Sequence, residues 1–483
     1  RGCTCEGVHI WIYSDFAKIM LGYFGVRGFA VSTELLLPSG SLKHLNYAFA
    51  YGADAVYAGQ PRYSLRVRNN EFNLEKLQQG INLAHQNNKQ FYVVNNIAPH
   101  NGKLKTFLKD VEPVVAMQPD ALIMSDPGLI MLVREHFPEQ VIHLSVQANA
   151  VNWATVKFWQ QQGIKRVILS RELSIDEIAE IRQQCPDIEI EVFVHGALCM
   201  AYSGRCLLSG YMNKRDPNQG ACTNACRWSY QAHEASEDGV GNFVPSEQTE
   251  ATTTDKIFLL EEKEKPGQFM PAFEDEHGTY IMNSKDLRAV EHVQKLVEIG
   301  VDSLKIEGRT KSFYYVARTA QVYRRAIDLA KSGEKFDANL LFELDKLSNR
   351  GYTEGFLRRH THDSYQNYQT GNSVSSLQQL VGEVIEMDAN QRKLKIEVKN
   401  KFNQGDSLEL MTPEGNVNFE LKELSDKDGL PIISALGSGH QVWITLPADV
   451  DLISADFSVL LRNLPEGTDT RDPYQTVAVK QVL

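Results

Sequence analysis

The chain has 483 residues, 42% of them hydrophobic and 23% charged, a composition close to that of ordinary soluble domains that suggests neither a disordered chain nor a membrane protein. Its 50 basic and 61 acidic side chains leave a net charge of −11, so bulk charge does not hold it to nucleic acid or to an anionic membrane, and any RNA binding needs a local basic surface. The length points to one large domain and at least one smaller one.

Residues 1–33 place Asp15 and Lys18 inside their apolar stretch, so they offer no bilayer-length run and no signal-peptide core leading to a cleavage site. They read as a non-native or disordered leader, and Cys3 and Cys5 are set aside with them. From Glu34 onward short apolar runs alternate with amphipathic stretches, the rhythm of βα units around a parallel sheet. The strand candidates are "ELLLP" at 34–38, "DAVYAG" at 54–59, "QFYVVNNIA" at 90–98, "DALIMSD" at 120–126, "VIHLSVQAN" at 141–149, "RVILSRE" at 166–172, "IEIEVFVHG" at 188–196 and "SLKIEGR" at 303–309. Segments between them, such as "NWATVKFWQQQG" and "SIDEIAEIRQQ", repeat apolar residues at helical spacing and stop at Gly or Pro. Eight such strands predict an α/β fold, a (β/α)8 TIM-like barrel over residues 34–360.

In such a barrel the face beyond the strand C-termini carries chemistry. Asn95 and Asn96, Ser125 and Asp126, Gln147 and Asn149, Arg171 and Glu172, His195, and Glu307 and Arg309 all fall there. Turn formation and helix capping account for Ser125 and Asp126. For the Gln147/Asn149 and Arg171/Glu172 pairs, capping and a role in a site stand side by side.

Between strands seven and eight the pattern breaks for an insertion over 197–280, longer than any ordinary loop. Its acidic, Thr/Ser-rich second half, residues 234–267, is predicted to be a mobile excursion without chemistry. After the helical stretch at 311–333, short alternating runs such as "LKIEVKN" and "QVWITLP" predict a small antiparallel β-barrel or sandwich over 375–470.

Four of the seven cysteines lie in the insertion, spaced Cys199-x6-Cys206-x15-Cys222-x3-Cys226. Cysteines this sparse, with a cluster, indicate a reducing compartment, by default the cytoplasm, and a dedicated site. Thiolates favour iron–sulfur clusters or zinc. Zinc knuckles use shorter gaps than the one between Cys199 and Cys206, whereas the ligand spacings of a 4Fe-4S cluster vary widely. Two disulfides or four buried thiols are the alternatives. The Cys-x3-Cys-x2-Cys arrangement of radical-SAM enzymes is not met, because Ser229 stands at its third position. There is also no phosphate-binding P-loop, no G-x-S-x-G elbow and no dinucleotide fingerprint after a strand.

The stretch Glu191 to Ser209, "EVFVHGALCMAYSGRCLLS", resembles the signature of the peptidase U32 family at every fixed position. The likeness runs over about residues 34–470, through "YGADAVYAGQPRYSLR", "NKRDPNQGACTNACRWSY" and "SLKIEGRTKSFYYVARTAQVYR". Within the family the chain resembles most the tRNA-hydroxylating branch, once described as collagenase-like proteases. That resemblance implies a 4Fe-4S cluster on Cys199, Cys206, Cys222 and Cys226, formation of 5-hydroxyuridine at the tRNA wobble position, and prephenate as the hydroxyl source in place of molecular oxygen.

The residues suit those expectations. Arginine forks match carboxylates and phosphates, which makes Arg62, Arg66, Arg171 and Arg309 candidates for anion contacts, with an ordinary ion pair as the alternative for each. Asn95, Gln147 and Asn149 are candidate substrate contacts. His195 is a candidate proton donor or partner of the cluster, and Glu172 and Glu307 are candidates for positioning or deprotonating a base. Basic and aromatic residues mix at 62–68 and 355–362, which suits tRNA docking. No DNA or membrane partner is expected. The rival readings are a U32-type peptidase, which would need an activated nucleophile that a cluster-bound cysteine cannot supply, and a non-catalytic iron–sulfur scaffold or tRNA-binding protein.

Overall fold

The computed structural model describes residues 33–60, 62–65, 71–198, 285–349, 351–358, 377–437, 439–448, 450 and 456–464, together with the backbone of short strands between 230 and 279. Eight strands, β1 (Glu34–Pro38), β2 (Ala55–Gly59), β3 (Gln90–Asn95), β4 (Ala121–Met124), β5 (Ile142–Leu144), β6 (Arg166–Ile168), β7 (Glu189–Ala197) and β8 (Ser303–Ile306), pair in parallel with their neighbours. β8 pairs with both β7 and β1 and closes the barrel. Every strand named at the outset is present. The strands are buried on both faces: some read as apolar runs, as Leu35, Leu36 and Leu37 do at zero exposure, and others carry buried polar residues at alternate positions, as Glu191 and Lys305 do.

Helices α1 (Leu42–Ala50), α2 (Leu74–Gln86), α3 (Asn101–Ala116), α4 (Pro127–His136), α5 (Trp153–Gln161) and α6 (Ile175–Gln184) follow the first six strands. Five start on a side-chain cap: Ser41, Asn73, Asp126, Asn152 and Ser174 each accept from a backbone N–H of the first turn. Asp126 thus plays the capping role expected of it. After β8 the long helix α7 (Phe313–Ser332) buries Val316, Ala320, Tyr323 and Ile327 at helical spacing and stops at Gly333 in a left-handed conformation.

The inserted region differs from expectation. Its backbone includes an antiparallel sheet in the order Phe269–Ala272, Phe258–Glu262, Tyr230–Glu237, Phe243–Pro245, so the acidic stretch holds strands. Apolar and aromatic residues in "FVP", "FLLEE" and "FMPA" supply β propensity that overall acidity had masked.

The C-terminal region is a seven-stranded antiparallel sheet in the order Asn416–Glu420, Ser407–Met411, Val459–Asn463, Gln378–Asp388, Lys393–Val398, Gln441–Thr445, Leu424–Asp426. It has its own core, including Ile396, Phe402, Leu408 and Ile444. Charged groups fasten it to the barrel. The fully buried Arg318 of α7 donates to Glu409, 2.5 Å away, which also accepts from Lys346 at 2.7 Å and from the Gln378 amide at 2.9 Å. Burial pushes the Glu409 carboxyl up, but Arg318 and Lys346 outweigh that and hold it below the usual carboxylate range.

Candidate functional site

Alternation along the parallel strands sends Glu34, Tyr92, His143, Arg166, Glu191, Ser303 and Lys305 into the lumen, where they meet. Arg166 Nη1 lies 2.6 Å from Glu34 Oε1 and 3.3 Å from Glu191 Oε2, and Lys305 Nζ lies 2.7 Å from Glu191 Oε1. The Tyr92 hydroxyl donates to Glu34 at 2.6 Å and the Ser303 hydroxyl at 2.8 Å. Charges this deep persist only when paired and hydrogen-bonded. Burial pulls the Lys305 ammonium below its ordinary pKa against the opposing effect of Glu191. This charged plug fills the lower lumen.

One layer higher, Phe193 and Tyr57 form an aromatic floor. Lys305 Nζ sits 4.3 Å from the Tyr57 ring centroid and 5.6 Å from that of Phe193. Above Phe193 the Arg171 guanidinium stacks at 3.8 Å, close enough for a cation–π contact, and reaches Glu307 Oε2 at 3.4 Å. Arg309 donates to Ser64 Oγ at 2.5 Å and lies 5.8 Å from the Tyr57 ring. Gly59 leaves room for it: a Cβ there would come within 2.5 Å of Arg309 Nη1. The Ser170 hydroxyl donates to Glu172. On the opposite side, Asn96 Nδ2 donates to Gln147 Oε1 at 2.9 Å and to Ser145 Oγ at 3.3 Å, and Ser125 Oγ donates to the Asn96 carbonyl at 3.1 Å.

Arg171, Glu172, Glu307 and Arg309 therefore gather at the strand C-termini, and Gln147 joins the rim through Asn96. Asn149, in a left-handed conformation, ends the single turn Val146–Ala148. Asn95 follows the lumen-facing Tyr92 and Val94 and so turns outward, fully buried, with neither amide atom hydrogen-bonded. Arg62 lies outside the group: it is exposed and pairs with Asp110 of α3 at 2.7 Å. Arg66, Cys199, Cys206, Cys222 and Cys226 lie outside the described residues. β7 ends at Ala197 on the mouth side, two residues before Cys199.

His195 faces away from the lumen. β7 carries a register shift against β8, pairing Phe193 with Lys305 but His195 with Ile306, which turns the histidine outward. There it is walled by the rings of Tyr315, Tyr323 and Tyr352 at 5.5–5.8 Å. Burial, with help from Lys311 and Arg288, lowers its pKa from 6.5 to about 3, so near pH 7 it is a neutral imidazole and not the imidazolium a proton donor would need. Gly196, with a positive φ of 107°, completes the bend, and a Cβ there would strike the Glu307 carbonyl at 2.5 Å.

Tyr57, Ser64, Ser170, Glu191, Phe193 and Lys305 were not singled out from the sequence. A signal existed for three of them: in "IEIEVFVHG" and "SLKIEGR" every second residue, Glu191, Phe193 and Lys305 among them, faces the lumen.

The profile of Peptidase family U32 matches residues 40–367, and that of the Peptidase family U32 C-terminal domain matches residues 377–455. The chain belongs to peptidase family U32. It is 66% identical to the tRNA hydroxylation protein P of Escherichia coli strain K12, over 91% of this chain and 99% of that protein. It is 64% identical to the protein of the same name from Haemophilus influenzae, over 91% of this chain and 98% of that one. A more distant relative, the 23S rRNA 5-hydroxycytidine C2501 synthase of Escherichia coli strain K12, is 27% identical over 87% of this chain and 58% of its own length. Among the described residues no helix is long and apolar enough to cross a membrane, and no group of three or more His, Cys, Asp or Glu stands ready to hold a metal ion.

Proposed function

We propose that this protein hydroxylates tRNA, forming 5-hydroxyuridine at wobble position U34 with prephenate as the hydroxyl source. The observation that carries the reading is the 66% identity to tRNA hydroxylation protein P over nearly the whole chain. The relative named as a 23S rRNA 5-hydroxycytidine C2501 synthase supports the chemistry, because its name specifies hydroxylation at C5 of a pyrimidine. Replacing a ring hydrogen by hydroxyl is a two-electron oxidation, which the side chains at the mouth do not carry out alone. Four thiolates at Cys199, Cys206, Cys222 and Cys226 are a soft donor set suited to a 4Fe-4S cluster, which supplies an electron-transfer centre when bound.

The mouth residues have distinct tasks in this reading. Arg171 and Arg309 present two guanidinium forks to a donor with two carboxylates. Glu307 and Glu172 orient the uridine ring or take a proton from it. Tyr57 and Phe193 seal the lumen below and keep water from entering through the barrel. The basic and aromatic residues at 62–68 and 355–362 grip the tRNA backbone. The sparse, clustered thiols support a reducing compartment, the cytoplasm, as the enzyme's setting in this reading.

The family's name favours a peptidase as the second reading. Ser41 Oγ lies 2.7 Å from His44 Nδ1 at the end of β1, but this serine is buried and caps α1, and His44 is oriented by the Lys311 carbonyl rather than a carboxylate. Cys185 is buried, and burial pushes its thiol up, away from the reactive thiolate. Mass spectrometry of wobble nucleosides from cells carrying only Cys199→Ala tests the proposal: loss of 5-hydroxyuridine is expected, and an unchanged profile overturns the cluster's role. An anaerobic preparation holding neither iron nor acid-labile sulfide overturns the cofactor.

A further inference from the structure

A groove of about 440 Å³ runs along the seam between α1 and the C-terminal sheet, within the size range of small-ligand sites. Asn46 and Tyr47 of α1 line one side, and Glu383, Ile385 and Phe457 line the other. Phe457 adopts a left-handed conformation with φ of 59°, which a bulky side chain rarely takes unless its surroundings impose it. The imposition is visible: the Tyr51 hydroxyl of α1 donates to the Phe457 carbonyl at 3.0 Å and to the Met411 carbonyl at 3.1 Å. The Phe457 ring touches Tyr47 only edge-on, at 5.5 Å, and the residue stays 38% exposed. The partly exposed ring of Phe457 thus lines the groove from a residue held in a left-handed conformation.

Two further features give the groove its chemistry. Ile385 offers an apolar surface and is 45% exposed. The Asn46 amide makes no hydrogen bond among the described residues, leaving a donor and an acceptor side by side. Glu383 is already engaged by Lys43 at 2.6 Å, Tyr47 at 3.1 Å and Lys399 at 3.6 Å, so it adds no open positive or negative site. Among the described residues lining the groove, beside Asp456, the one cation is Lys43, which is paired with Glu383, so a phosphate has no unpaired cation to meet. A flat ring with a hydrogen-bonding edge does have a fit: its face against Phe457 and Ile385, its edge on Asn46. The buried Arg318–Glu409 contact fixes sheet to barrel, so both walls stand in place before anything binds.

We propose that this groove takes one unpaired nucleobase of an RNA strand, a second tRNA contact away from the barrel mouth. The strand's identity rests on the tRNA reading above. The test uses the full-length protein, an unmodified tRNA transcript, and adenosine 5′-monophosphate as a free-nucleotide probe, with equilibrium binding read without catalysis. Phe457→Gly relieves the left-handed strain while removing the ring, so its melting temperature stays at or above that of the parent. Its tRNA affinity is expected to fall about tenfold, the usual worth of one stacked base. Asn46→Ala falls in the same direction, and Phe457→Tyr restores binding.

Unchanged tRNA affinity in Phe457→Gly overturns the proposal. Loss of adenosine 5′-monophosphate binding with tRNA affinity intact also overturns it, in favour of a free nucleotide. Loss of a co-purifying protein with tRNA affinity intact overturns it in favour of a protein partner. Should the groove fail while wobble hydroxylation persists, the functional reading stands. If the parent enzyme makes no 5-hydroxyuridine, binding still decides the groove.

Discussion

Two layers of one barrel lumen handle charge in different ways. In the lower layer Glu34, Arg166, Glu191 and Lys305 are paired at 2.6–3.3 Å and further held by Tyr92 and Ser303. At the mouth, Arg171 meets its carboxylate at 3.4 Å and is held mainly by the face of Phe193 at 3.8 Å. The plug keeps the barrel full without a purely apolar core. The mouth fixes the plane of a guanidinium by stacking, and in the proposed function its edge is what meets the donor's carboxylate. Buried charge is fully paired below and more loosely paired above, with the Tyr57–Phe193 floor as the boundary.

The comparison breaks most visibly at Glu191. Glu191→Gln leaves Lys305 and Arg166 short of a buried counter-charge and is expected to cost about 3–5 kcal/mol in urea denaturation; a loss below about 1 kcal/mol would erase the distinction between layers. Arg171→Lys should do the converse. It keeps the charge but loses the fork and the stacking plane, so hydroxylation is expected to fall about a hundredfold while stability moves by less than about 1 kcal/mol. Phe193→Leu sharpens the picture: it keeps the floor apolar but removes the ring face, and kcat/KM is expected to fall about fivefold, matching about 1 kcal/mol of cation–π contact.

The smallest effect at neutral pH concerns His195. Its folded pKa of about 3 lies below its ordinary 6.5, so only the unfolded chain takes up that proton in between. Its contribution is therefore complete above pH 6.5 and is lost as pH falls toward about 3. His195→Phe is expected to flatten stability against pH in that window, as followed by thermal melts; an unchanged slope would show that the histidine does not titrate there.

The strands were legible because burial on both faces leaves an apolar run, as in "ALIM" and "ELLLP". The position of Arg171, Glu172, Glu307 and Arg309 at the mouth was legible because strand C-termini are where a barrel exposes polar groups. His195 was misplaced because the β7 bulge adds one residue after Phe193 and reverses which way the next side chain faces. Asn95 was misplaced for a related reason: one step of alternation separates it from Asn96, and it is Asn96 that meets Gln147. Arg62 found Asp110 on α3, a pairing set by tertiary packing across 48 residues of sequence. The plug went unseen because Glu34, Arg166, Glu191 and Lys305 sit far apart in sequence, and only closure of the barrel brings them together.

The most direct test replaces the native gene with the Arg171→Lys form and measures wobble nucleosides by mass spectrometry, with protein levels checked beside the parent. We predict that the variant accumulates to normal levels and leaves wobble uridine without its 5-hydroxyl group. Full 5-hydroxyuridine in that strain would contradict the assignment of the barrel mouth as the reaction site.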